Sequence, residues 1–260
     1  MFTMRKKLLS LAAVAAAGFG SVAQAEETGT LKMTFVYGGA PPVPEKIDVN
    51  KDQAFCGKVP LFDEKLVVNS ENSGLKNVIF YVYTGRGGSK LPSFDPSNKT
   101  HELANDQCRF EPHIVLLQTG DTLKVTNPDE VGHNANMQFL ANAPQNFQIP
   151  PGGEKSVQLE DAEPAPIPVE CNIHPWMKAY VVVLEHPFVG VSNEDGVLEI
   201  KGLPPGELEF RLFHEGATGA IREIKMDGKK EKLSRNRISL KIKAGMNDLG
   251  KIEIPADSFK

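Results

Sequence analysis

The sequence predicts an all-β protein built as two successive β-sandwiches. Three observations carry that expectation. Apolar and polar residues alternate with period two in short, β-branched runs, no long stretch shows an apolar stripe of helical period, and Gly- or Pro-bearing turns separate the runs. In chain order the expected strands are Leu31 to Tyr37, Lys65 to Asn69, Leu75 to Tyr83, Ile114 to Gln118, Thr122 to Asn127 and Lys155 to Glu160. Ala179 to Glu185, Val197 to Lys201, Glu207 to Phe213, Arg237 to Lys243 and Leu249 to Ile254 follow.

Two stretches read as loops. Thr84 to Gln107 is rich in Gly, Ser, Pro and Asn, and its length marks either a functional lid or a mobile excursion. Residues 161–168 carry three prolines that cannot donate ladder hydrogen bonds, so they suit an extended edge or a connection leading into Cys171.

The first 25 residues stand outside this scheme. Arg5, Lys6 and Lys7 precede an Ala-rich apolar run, Leu8 to Gly20, and Ala23-Gln24-Ala25 supplies a small-x-small cleavage pattern. This is the grammar of a secretory signal peptide cut before Glu26; the apolar run is shorter than the ~20 residues of a spanning helix. The expected product is periplasmic or otherwise exported, with no membrane span. The whole chain holds 29 basic and 33 acidic residues; without Arg5, Lys6 and Lys7 the balance is 26 against 33, a net charge of −7. With no basic run, nucleic acid is not an expected partner. The composition, 40% hydrophobic, 7% aromatic and 24% charged, excludes a disordered or polytopic membrane protein.

Export governs how the three cysteines, Cys56, Cys108 and Cys171, are read, because an oxidising compartment pairs thiols that nothing else occupies. An odd count leaves one for intermolecular bonding or a ligand role. The run Cys171-Asn172-Ile173-His174-Pro175-Trp176-Met177 sets a thiolate, an imidazole and a thioether within seven residues. A Cys and a His three apart are often just a buried thiol and a surface imidazole. Soft sulfur donors beside an imidazole nevertheless favour copper over the oxygen-loving Ca²⁺ and Mg²⁺ or four-ligand structural zinc. A further strong ligand must then come from another loop, and His133, just past the strand Thr122 to Asn127, is the best placed.

The motif Gly120-Asp121-Thr-Leu-Lys-Val-Thr-Asn127, then His133-Asn134, then Cys171-x2-His174-x2-Met177, resembles the cupredoxins, or type 1 blue copper proteins, and within them the amicyanin and plastocyanin-like set. The resemblance covers Phe110 to Glu185 and is looser over 31–109. It implies a Greek-key sandwich with one type 1 copper held by His133, Cys171 and His174, and by Met177 as a weak axial ligand. It also implies that Asn134 holds the ligand loops together and points its N–H at the Cys171 sulfur. Where those families place a proline, this chain has Ile173, whose free N–H is expected to give the sulfur a second hydrogen bond.

With Cys171 on the metal, Cys56 and Cys108 remain as a pair for a disulfide. Met137 is the fallback thioether. His113 could be a fifth ligand, a donor behind a ligand, or an ordinary satisfied side chain. Trp176 either shields the metal or, with Pro175, forms an apolar docking patch around a solvent-facing edge of His174.

The expected function is electron carriage by Cu(II)/Cu(I) cycling to or from a partner such as a c-type cytochrome or a dehydrogenase; the alternative is a copper-handling or surface-attachment module. No enzyme is expected, because no nucleophile motif stands out and four protein ligands leave no open position for substrate. The division expected along the chain is 26–186 for the copper domain and 187–260 for the second sandwich. The run Val191 to Glu215, with its Ser-Asn-Glu-Asp-Gly and Gly-Leu-Pro-Pro-Gly turns, resembles carboxypeptidase-regulatory-like and transthyretin-like sandwiches.

Overall fold

A computed structural model describes residues 27–259; the expected signal peptide lies outside the described residues. The chain is all-β. Its first half supplies β1 (Gly29–Gly38), the short helix α1 (Gln53–Cys56), β2 (Ile79–Val82), β3 (Thr100–Asp106), β4 (Arg109–Glu111), β5 (Ile114–Gln118) and β6 (Thr122–Thr126). Then come β7 (His133–Met137), β8 (Gln145–Ile149), β9 (Glu154–Gln158), β10 (Ile167–Glu170), β11 (Lys178–Leu184) and β12 (Val189–Val191). The last are β13 (Val197–Leu203), β14 (Gly206–Phe213), β15 (Glu223–Met226), β16 (Lys229–Lys232), β17 (Arg237–Ile242) and β18 (Gly245–Pro255).

Four sheets stack as layers. The order β13-β1-β18-β15-β16 faces β12-β2-β14-β17 across one core, which holds Leu31, Phe35, Phe80 and Phe210. The order β5-β11-β10-β7-β8 faces β4-β3-β6-β9 across a second core, which holds Leu103, Phe110, Leu123 and Val181. A third cluster joins the two inner sheets: Ile79 and Tyr81 of β2 meet Val182 and Leu184 of β11. The period-two rule explains the composition of both strands. In β2, Phe80 and Val82 turn to one core while Ile79 and Tyr81 turn to the junction; in β11, Val181 and Val183 turn one way and Val182 and Leu184 the other. Both read as unbroken apolar runs because both faces are covered.

The expected division at 187 does not follow the sheets. β1 runs between β13 and β18, parallel to the latter, and β2 runs between β12 and β14. The start of the described chain therefore completes the sandwich made by its end, and the site-bearing sandwich lies between them in sequence. The closeness of this docking is visible at Gly196, at φ +77°, where a Cβ would sit 2.0 Å from the Phe35 carbonyl oxygen.

Lys65 to Asn69 is not a strand and makes only the isolated bridge Val68 to Leu75. The expected loop Thr84 to Gln107 ends in β3, parallel to β6, and its Leu91 and Phe94 pack on the core of the other sandwich. β3 is weakly apolar because one of its inward positions is Asn105, buried and donating to the Thr126 carbonyl at 2.7 Å. β10 tolerates Pro168 because β7 flanks it only at Val169 and Glu170; at Pro168 only β11 lies alongside.

Candidate metal centre

Strand register brings the loops together. β10 lies between β7 and β11, with Val169 opposite Met137 and Glu170 opposite Asn136. Two residues further along the same register, Asn134 reaches Asn172: the Asn172 N–H donates to Asn134 Oδ1 at 2.7 Å, while Asn134 Nδ2 donates to Asn146 Oδ1 at 3.0 Å. The loop is closed on itself by Cys171 N–H to the Met177 carbonyl at 3.2 Å and Met177 N–H to the His174 carbonyl at 2.9 Å.

His133, Cys171 and His174 converge, with one donor atom of each within 4.8 Å of the others and all three side chains buried. Cys171 Sγ is 3.8 Å from His174 Nδ1, and the two imidazole rings are 4.7 Å apart between centroids. Each imidazole is held from behind by a carboxylate. His133 Nε2 bonds Asp129 Oδ2 at 2.9 Å, and His174 Nε2 bonds Asp52 Oδ2 at 2.8 Å. With Nε2–H donated backwards, each Nδ1 presents a lone pair inwards, the arrangement that fixes tautomer and ring orientation in metal sites. His133 Nδ1 is buried and has no hydrogen-bond partner. An orphan acceptor of this kind costs free energy unless something fills it, and a cation is what a thiolate and two inward lone pairs suit.

The charge state agrees. Burial alone would push the Cys171 thiol up, but the His133 and His174 rings beside it and the Asn134 and His174 amides outweigh it and bring it down to about 5. Burial likewise opposes charge on His174, and the Cys171 sulfur and Asp52 carboxylate overcome it and raise its pKa. The amides that reach the sulfur are thus those of Asn134 and His174, in place of the amide expected from Ile173.

Met177 is buried at the end of the loop and Met137 is buried within β7. Four residues along a strand place the Met137 Cα roughly 13 Å from that of His133, which favours Met177 of the two. A second grouping, Cys108 with Asp129 and His133, does not form a ligand set: Cys108 Sγ is bonded to Cys56 and Asp129 is occupied by His133 Nε2. His113 is taken by Glu215 through Nε2 and faces Glu64 at 3.8 Å through Nδ1. His101, His186 and His214 bond Asp121, the Val82 carbonyl and the Lys76 carbonyl, respectively.

The solvent-facing edge expected for His174 is not present. Its side chain is 0% exposed, because α1 and the preceding Asp52 close over Nε2. Pro175 is exposed, and Trp176 is half-buried with its ring 5.2 Å from that of His174 and its Nε1–H donated to the Cys108 carbonyl at 3.1 Å.

Cys56 and Cys108 form a disulfide, with Cα atoms 5.5 Å apart across a separation of 52 residues. It ties together the two supports of the imidazoles: Cys56 ends the helix that follows Asp52, and the Gln107 and Cys108 amides donate to Asp129 at 2.7 and 2.9 Å. Sequence reasoning missed both carboxylates. Asp129 stands four residues before His133 in the Asn127-Pro128-Asp129 turn, a signal that was there to find; Asp52 is 122 residues from His174 and gives none.

No protein-family model matches the sequence, and no curated protein matches it. Among solved structures, a Cu(I) form of an amicyanin variant is 18% identical over 32% of this chain and 79% of its own, with a TM-score of 0.28. The Cu-containing nitrite reductase of Thermus scotoductus SA-01 is 18% identical over 40% of this chain and 25% of its own, with a TM-score of 0.30. The purple cupredoxin of Nitrosopumilus maritimus is 19% identical over 32% of this chain and 97% of its own, with a TM-score of 0.27. Among the described residues no helix is long and apolar enough to cross a membrane.

Proposed function

We propose that this protein is an exported, cupredoxin-like, single-copper electron carrier, with His133, Cys171 and His174 as the ligands and Met177 as the weak axial donor. The observation that carries the reading is the orphaned, buried His133 Nδ1 facing a thiol whose pKa is brought down to about 5. A copper ion held there would supply one-electron Cu(II)/Cu(I) chemistry. The chain's own residues do the rest. Asp129 and Asp52 hold both imidazole rings with Nδ1 turned inwards, the Asn134 and His174 amides stabilise the sulfur anion, and burial of all three donors keeps water and substrate out. A site closed in this way suits a carrier rather than an enzyme.

The partner is a redox protein, such as a c-type cytochrome or a dehydrogenase, approaching the exposed Pro175 and the Trp176 ring that touches His174. Voltammetry of the copper-loaded mature protein tests the proposal. Fast, reversible one-electron cycling that disappears in Cys171→Ala supports it. Weak, exchangeable Cu(I) binding with no reversible couple overturns it in favour of a copper-handling module.

A further inference from the structure

Four of the chain's seven arginines, Arg86, Arg211, Arg235 and Arg237, line one cavity of about 530 Å³ with Tyr83 and Gly87. The cavity opens on the sandwich that lacks the candidate metal centre, and its concentration of positive charge contrasts with a chain of net charge −4.

Its construction brings like charges together. Arg211 of β14 and Arg237 of β17 are direct cross-strand partners, and like charges facing each other across an antiparallel pair destabilise it. The Tyr83 ring offsets part of this, lying 5.7 Å from the Arg211 guanidinium and 4.8 Å from that of Arg237. Arg211 donates to the Pro164 carbonyl at 3.0 Å and Arg237 to the Arg86 carbonyl at 3.3 Å. Only one carboxylate answers the four cations, Glu209 at 3.6 Å from Arg237 Nε. Packing on Tyr83 therefore accounts for Arg211 and Arg237, while Arg86 and Arg235 stand exposed at the rim, their guanidinium groups without an ion-pair or hydrogen-bond partner among the described residues and free to reach a ligand. Arg235, at φ +56°, and Asn236, at +62°, are the two left-handed residues of a hairpin turn, a conformation that Asn adopts readily and Arg does not. The turn holding it is fixed by paired backbone bonds between Ser234 and Arg237, each at 3.1 Å.

We infer that this cavity is a binding site for a small multivalent oxyanion of the phosphate class, free or as a phosphomonoester. An uncompensated charge near +3 asks for more than a monocarboxylate supplies. Guanidinium forks match the geometry of phosphate oxygens, and Tyr83, already covered by two of them, is a floor rather than a stacking partner.

The test uses the mature, disulfide-bonded, copper-loaded protein titrated calorimetrically with inorganic phosphate, glycerol phosphate and succinate, with sodium chloride at matched ionic strength as the control. Saturable one-to-one binding of phosphate or glycerol phosphate, weakened roughly tenfold for each of Arg86→Gln and Arg235→Gln, is the expected result; tenfold is about 1.4 kcal/mol. Both variants alter side chains without packing roles, so their ligand-free melting temperatures and copper spectra should match the parent and separate loss of binding from loss of fold. Binding of only one of inorganic phosphate and glycerol phosphate supports the assignment and identifies which form, free or ester, the site takes. Equal heats from chloride, equal affinity for succinate, or undiminished phosphate binding in the double variant overturns the assignment.

Discussion

Replacing Asp129 with Asn is the most informative single perturbation of the candidate metal centre. Three donors converge on that buried carboxylate: the Gln107 amide at 2.7 Å, the Cys108 amide at 2.9 Å and His133 Nε2 at 2.9 Å. An Asn side chain of the same shape has one acceptor oxygen and one NH₂. If the NH₂ takes the Oδ2 position, it faces both the Cys108 amide and His133 Nε2, so the imidazole must accept there, which moves its proton to Nδ1 and blocks the ligand atom. If the NH₂ takes the Oδ1 position instead, the oxygen keeps Cys108 and His133 without the carboxylate's charge, and the partly buried Gln107 amide loses its acceptor at about 1–3 kcal/mol. Either way one amide is left unpaired: copper affinity should fall about 10–100-fold, as carboxylates behind ligating imidazoles generally show, and the metal-free protein should lose about 1–3 kcal/mol. Asp52→Asn is the comparison: that side chain is 44% exposed and makes one bond to His174, so its stability cost should stay below about 1 kcal/mol and its affinity loss below that of Asp129→Asn. Cu(I) competition against a chromogenic chelator and urea denaturation of the metal-free protein read both quantities. Equal affinity losses in the two variants, or none in a folded Asp129→Asn, would refute the reasoning.

The remaining predictions follow from the same geometry. The Cys171 thiol titrates near 5 in the fold against 9.0 when free, so its thiolate stabilises the metal-free protein fully above the free value, by ~2–3 kcal/mol at neutral pH, and not at all once pH has fallen well below 5. His174, whose pKa is raised, works in the opposite sense, its contribution being present in acid and lost as pH rises through its folded value. Denaturation of parent and Cys171→Ser between pH 7 and pH 4 should show the difference between them shrinking towards acid. A constant difference would contradict the assignment. Replacing Cys56 and Cys108 together by Ser should cost about 4 kcal/mol in the loop-entropy model and loosen Asp52 from His174; a melting temperature and copper affinity unchanged from the parent would show that the bridge supports neither. Ile173→Pro should leave the reduction potential close to that of the parent, because the amides at the sulfur are those of Asn134 and His174. A large shift would return the Ile173 amide to the sulfur.

The site was more legible than its surroundings. Cys171 and His174 announce themselves by spacing, and His133 by following a strand in a run that resembles the blue copper motif. The strand that carries His133 was not legible, because β7 buries His133, Asn134 and Ala135 in a row and so breaks the apolar alternation on which strand reading depends. The place of Asp52 was hidden for another reason: its contact with His174 depends on α1, the disulfide and the path of residues 38–64, none of which has a local signature. The sheets repeat the lesson. β5, β6 and β11 were readable from pattern alone, whereas the pairing of β1 with β18 joins the two ends of the described chain, and nothing in either segment specifies the other. The continuous apolar runs of β2 and β11 did hold a clue, since a strand apolar on both sides needs two covers, and the second cover is the neighbouring sandwich.

The central claim is that a thiolate and two imidazoles from separate loops hold one copper ion. Its most direct test is the metal content and the optical and EPR spectra of the copper-loaded mature protein beside Cys171→Ala and His133→Ala. One copper per chain with an intense visible sulfur-to-copper charge-transfer band, abolished in Cys171→Ala and altered in His133→Ala, is the predicted result. A parent that takes up no copper, or a Cys171→Ala protein with the same stoichiometry and spectrum as the parent, would contradict it.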